Sequence, residues 1–166
     1  SDVCSSDLEQ IIQVGVRVRP INDREVPTRC CIVDESKATV LMNSSTEACH
    51  FDFVGGENCS QKNMFSTVGL QLVQSCLEGK TATLFAYGQT GSGKTYTIFG
   101  NYNPKRHEIT EAGILPRSLQ LLYQKKSPST PVSISMFQIY NDVFYDLIND
   151  GRKCEVKPDI NGSLVL

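Results

Sequence analysis

The segment Gly88-Gln89-Thr90-Gly91-Ser92-Gly93-Lys94-Thr95 fits the pattern G-x-x-x-x-G-K-[ST]. That spacing can cradle a chain of phosphates. Glycines reach backbone angles closed to other residues and let main-chain N–H groups turn inward around anionic oxygens. Lys94 supplies a mobile positive charge for the terminal phosphates, and the Thr95 hydroxyl is a ligand for Mg²⁺. The chemistry requires a strand before the loop and a helix start within it, where unpaired N–H groups and the helix dipole favour an anion.

A second group is less specific. Arg17-Val18-Arg19-Pro20 is open to two readings. The arginines of a strand could simply reach solvent. Alternatively the flat Arg planes and the Pro ring form a platform for a purine base, with Tyr96 stacking on the other side. Spacing does not decide between them.

The elements around these groups follow from periodicity. Ile11 to Arg19 is β-branched and partly alternating, so a strand is expected, broken by Pro20. Short strands are expected at Ala38 to Met42 and at His50 to Phe53. From Ser60, a natural N-cap, apolar residues at Met64, Phe65, Val68, Leu72, Val73, Cys76 and Leu77 mark one helix face that Gly79 ends. Thr81 to Ala86 reads as a strand buried on both faces, running into the glycine loop. A helix is expected from that loop towards Phe99, then a surface loop over Gly100 to Glu111. Helical spacing returns at Ile114, Leu115, Leu119 and Leu122, with Pro116 tolerable in the first turn. Val132 to Tyr140 reads as a long strand. Strands alternating with helices predict an α/β fold around a central, mostly parallel sheet.

Composition narrows the classes. Of 166 residues, 40% are hydrophobic and 20% charged, and the formal net charge is -2, which gives no global attraction to nucleic acid or anionic lipid. No apolar run approaches the length of a membrane span, and no signal peptide is evident at the start. The seven cysteines include no C-x-x-C spacing, and there are two histidines. Free thiols are therefore expected rather than a zinc site, and the adjacent pair Cys30-Cys31 receives no role.

Both ends are unusual. Residues 1–8, Ser-Asp-Val-Cys-Ser-Ser-Asp-Leu, back-translate with permitted codons to a string that looks like a sequencing-adapter tail. They are expected to be a non-native leader, with native sequence from about Glu9; the alternative is a disordered native terminus. Ser163-Leu164-Val165-Leu166 stops within an apolar, strand-like run.

Beyond the generic motif, the residues resemble the kinesin motor domain. Phe85 to Thr97 looks like that family's P-loop at almost every position. Arg17-Val-Arg-Pro20 is similar to its first-strand R-x-R-P. Phe51-Asp-Phe53 with Gln61 and Phe65 resembles the approach to its first helix, and Gly113-Ile-Leu-Pro-Arg117 resembles G-I-[IV]-P-R. Ser135 to Asn141 with Asp146-Leu147 is similar to S-x-x-E-I-Y-N…D-L-L. Ile98 and Gln138 depart from the usual Met and Glu.

The resemblance implies a P-loop NTPase-type fold, truncated here, with residues 9–166 as the N-terminal half of a motor domain. It implies ATP and Mg²⁺ as ligands. Gly88 to Tyr96 with Arg17, Arg19 and Pro20 would bind nucleotide, Lys94 and Thr95 would act on the phosphoryl group, and Thr95 would hold the metal. The implied activity is ATP hydrolysis coupled to movement along microtubules, in the cytoplasm on the cytoskeleton. Neither nucleic acid nor membrane insertion is implied, and a homodimer would form through regions outside the chain. The family's two switch strings, N-x-x-S-S-R-S-H and D-L-A-G-S-E, do not occur in these 166 residues, so the isolated polypeptide is expected to be inactive. The other reading is a kinesin-like module that holds nucleotide or microtubules without stepping.

Overall fold

A computed structural model describes residues 12–23, 25, 28–103, 105–155, 157–158 and 164–165. The suspected leader, residues 1–8, lies outside the described residues. The chain divides between Lys126 and Ser127 into two compact units.

In the first unit, β1 (Gly15–Arg17) pairs in parallel with β5 (Phe53–Gly55), Val16 opposite Val54. The parallel pairing is extended by Val18 N–H donating to the Gly55 carbonyl at 2.8 Å and Asp52 N–H to the Val14 carbonyl at 2.9 Å. Between them, β2 (Cys31–Asp34), β3 (Thr39–Met42) and β4 (Cys49–His50) form an antiparallel meander. The strand β2 has no signal of its own in the sequence; its four residues Cys-Ile-Val-Asp are too few to show a period.

The predicted helix after Ser60 is present as three consecutive segments: α1 (Gln61–Met64), a π-helical turn (Phe65–Gly69) and α2 (Leu70–Leu77). Ser60 Oγ caps it by accepting from Asn63 N–H at 3.1 Å, worth about 1 kcal/mol. Gly79, at φ 78°, ends it, with its N–H and that of Lys80 returning to the carbonyls of Cys76 and Ser75. The helix α4 (Ile114–Lys125) holds Pro116 in its first turn, as expected. Val40, Val54, Met64, Val73 and Ile114 form the buried apolar core.

Three segments differ from expectation. Thr81 to Ala86 joins no ladder, and Phe85 is 88% exposed. A doubly buried strand needs hydrogen-bonded neighbours and covering layers. Among the described residues neither surrounds this segment, and β1 with β5 is the one parallel pair. The strand expected at His50 to Phe53 is split between the end of β4 and the start of β5. The helix α3 (Lys94–Ile98) runs to its C-cap at Phe99, as expected. Beyond it, the expected surface loop is instead an antiparallel hairpin of β6 (Gly100–Asn103) and β7 (Glu108–Ala112), bulged at Asn101 and Tyr102. Its turn is held by Asn103 Oδ1, which accepts from the N–H groups of Lys105 and Arg106.

In the second unit, the expected strand is shorter. Only Phe137–Tyr140 (β8) pairs, with β9 (Val143–Asp146), around Asn141 and Asp142, both at positive φ. Such a two-residue turn matches the twist of a hairpin, and it sets a register that Leu147 N–H extends to the Met136 carbonyl at 2.8 Å and that Val132 to Ser135 do not enter. Next, β10 (Arg152–Cys154) joins β9, and β11 (Lys157–Pro158) pairs with β12 (Leu164–Val165), so part of the apolar stretch at the end is a short strand. No helix among the described residues is long and apolar enough to cross a membrane.

Candidate nucleotide-binding site

The glycine loop takes the backbone path its composition predicts. Gly88, Gly91 and Gly93 all lie at positive φ, 151°, 78° and 97°, a region that costs other residues free energy. A Cβ on Gly88 would come within 2.6 Å of Ser92 Oγ, whereas at Gly91 and Gly93 it would meet open space within 4 Å. Ser92 N–H closes the turn on the Gln89 carbonyl at 3.2 Å. Gly93 is the N-cap of α3 and offers no side-chain cap, so the first-turn amides of that helix remain available donors. Lys94 Nζ folds back over the loop and donates to the carbonyls of Gly88 at 2.8 Å and Gln89 at 2.9 Å. An ammonium has three donors, so one remains. Thr95 is exposed beside it.

Arg17 and Arg19 do different things. Arg17 is half-buried, and its guanidinium donates to Gln61 Oε1 at 2.9 Å, Thr97 Oγ1 at 3.0 Å and the Cys59 carbonyl at 2.8 Å. It also lies 5.1 Å from the centre of the Tyr96 ring. Its donors therefore fasten β1 to α3 and to the start of α1. Tyr96 in turn donates from its hydroxyl to Glu111 Oε2 at 2.6 Å; that bond, helped by partial burial, raises its pKa. Arg19 instead pairs with Glu25 and donates to the Pro20 carbonyl at 2.9 Å. The Arg19 hydrogen bond, with one from Asn22 N–H, lowers the Glu25 pKa from 4.5 to about 2. Arg17 and Arg19 border a cleft of about 370 Å³ whose other wall includes Gln89 and Ser92 of the glycine loop.

A family model for the kinesin motor domain matches residues 17–165, the span that holds the loop, the cleft and both arginines. The chain belongs to the kinesin motor-domain family. It is 34% identical over 169 residues to kinesin-like protein KIF27 of Rattus norvegicus, covering 96% of this chain and 12% of that protein. It is 36% identical to kinesin-like protein klp-19 of Caenorhabditis elegans, with 91% and 14% covered. To kinesin-like protein KIN-12E of Oryza sativa subsp. japonica it is 33% identical, with 90% and 9% covered. The chain thus spans about a tenth of the length of these kinesin relatives. Family membership carries a P-loop NTPase-type fold.

Within this kinesin chain Gly88 to Gly93 form one loop that runs into α3 at Lys94 and Thr95, and of these residues Gln89 and Ser92 line the cleft with Arg19. Tyr96 and Pro20 do not line that cleft: Tyr96 stacks on Arg17, and Pro20 gives its carbonyl to Arg19. Thr28, Arg29, Cys31 and Glu57 also line it, and the sequence motifs include none of them. They come from β2 and two loops, so no local spacing marks them. Burial pushes the Cys31 thiol up, consistent with a protonated wall residue. In the sequence Gln61 stands out only as part of a helix start, yet its two amide ends join Arg17 to the Tyr96 carbonyl.

Proposed function

We propose that this chain carries the nucleotide-binding part of a microtubule-based motor, in which ATP hydrolysis drives movement along microtubules in the cytoplasm. The observation that carries the reading is the glycine loop at positive φ, with Lys94 held over it and an Arg-lined cleft alongside. Its donor set suits a magnesium–nucleotide. Open space at Gly91 and Gly93 admits phosphate oxygens to the backbone, and the uncapped start of α3 adds N–H donors.

Lys94 would exchange its two loop carbonyls for phosphate oxygens, and Thr95 would hold Mg²⁺. When bound, Mg²⁺ neutralises charge on the transferring phosphoryl group. Arg19 and the wall formed by Gln89 and Ser92 would receive the nucleoside, while Arg17 and Tyr96 back the site as a stacked pair. In this reading β1 and β5 belong to a mostly parallel central sheet. The parallel register of β1 on β5 supports it.

The test is ATP turnover by the full-length protein with and without microtubules. Stimulation by microtubules supports a motor. Nucleotide binding with no turnover would replace that reading with the non-stepping module.

A further inference from the structure

Gln61 is 4% exposed, the most buried polar side chain among the described residues. A buried amide is costly unless both of its ends are satisfied, and here both are. Its Oε1 accepts from Arg17 Nη1 at 2.9 Å, and its Nε2 donates to the Tyr96 carbonyl at 2.6 Å. The Tyr96 carbonyl belongs to the helix that opens directly from the glycine loop. The residues joined lie far apart in sequence: Gln61 begins α1, Arg17 ends β1 and Tyr96 lies two residues after Lys94. Ser60 fixes the start of α1 by its cap, so Gln61 is presented from a set position.

From this geometry we infer that Gln61 is a positioning residue for the phosphate loop, holding α3 at the angle that aims Lys94 and the first-turn amides into the site. This rests on the nucleotide-binding reading above. The amide is suited to the task because it accepts at one end and donates at the other. Glutamate in its place would keep the acceptor for Arg17 and lose the donor to Tyr96. Methionine would fill similar volume and lose both. The role differs from that of Arg17, whose donors also go to Thr97 and Cys59; Gln61 is the side chain that grips the backbone of α3.

The experiment measures the affinity of the full-length protein for a fluorescent ATP analogue with Mg²⁺, alongside thermal unfolding, for wild type, Gln61→Glu and Gln61→Met. Losing one buried hydrogen bond that acts on the site predicts about tenfold weaker binding in Gln61→Glu, with a raised KM and a kcat less affected. Gln61→Met is expected to bind at least as weakly. Wild-type affinity in a folded Gln61→Glu variant would overturn the inference. So would failure of both variants to fold, since the amide would then serve the architecture as a whole. If the wild type itself binds no nucleotide, the reading of the site fails, a result distinct from either.

Discussion

The Arg17 guanidinium lies 5.1 Å from the centre of the Tyr96 ring, and its remaining directions are filled by Gln61, Thr97 and the Cys59 carbonyl. A cation over an aromatic face contributes about 0.5–1 kcal/mol at a partly exposed site. The planar fork of Arg also meets acceptors on several elements at once, which an ammonium on a flexible stem does not. Arg17→Lys should therefore lower unfolding stability by about 1–3 kcal/mol, seen as a lower denaturant midpoint with an unchanged slope. A variant as stable as wild type would mean that these bonds fasten nothing.

Gly93 starts α3 at φ 97°, and a Cβ added there would meet nothing within 4 Å. Substitution therefore brings no clash, only backbone strain. Gly93→Ala should cost about 1–2 kcal/mol and weaken nucleotide binding in step, because relief of the strain turns the Lys94 amide away. Calorimetric unfolding with a parallel binding titration checks both parts.

Arg19 and Glu25 define a pH response. The folded pKa of Glu25, about 2, lies below its ordinary 4.5. The stabilising contribution of the pair is therefore complete above about pH 4.5 and is lost as pH falls through about 2. Carbon NMR of the Glu25 carboxyl should titrate near 2 in the wild type and return towards 4.5 in Arg19→Gln. An unshifted wild-type carboxyl would remove the pair from the cleft wall.

Much of the site is local and could be read directly from the sequence. The loop pattern is contiguous, the Ser60 cap and Gly79 stop bracket a helix with one apolar face, and Pro116 sits where a helix tolerates it. The remainder depends on residues distant in the chain. Arg17 meets Gln61 across 44 positions, and no spacing rule links them. The π-helical turn at Phe65–Gly69 lies where Gly69 packs beside Phe65 and Ile114, a tertiary matter. Thr81 to Ala86 has the composition of a central strand, but strand pairing is a property of its neighbours. The hairpin of β6 and β7 hides in polar residues because both its strands are largely exposed.

The most direct measurement is nucleotide-dependent release of the full-length protein from microtubules, compared between wild type and Lys94→Ala. Lys94 spans the loop through two carbonyls and keeps a donor for phosphate. Its loss should abolish ATP-induced release while leaving a folded protein bound to microtubules. Undiminished release by Lys94→Ala would contradict the assignment of this loop as the nucleotide site of a motor.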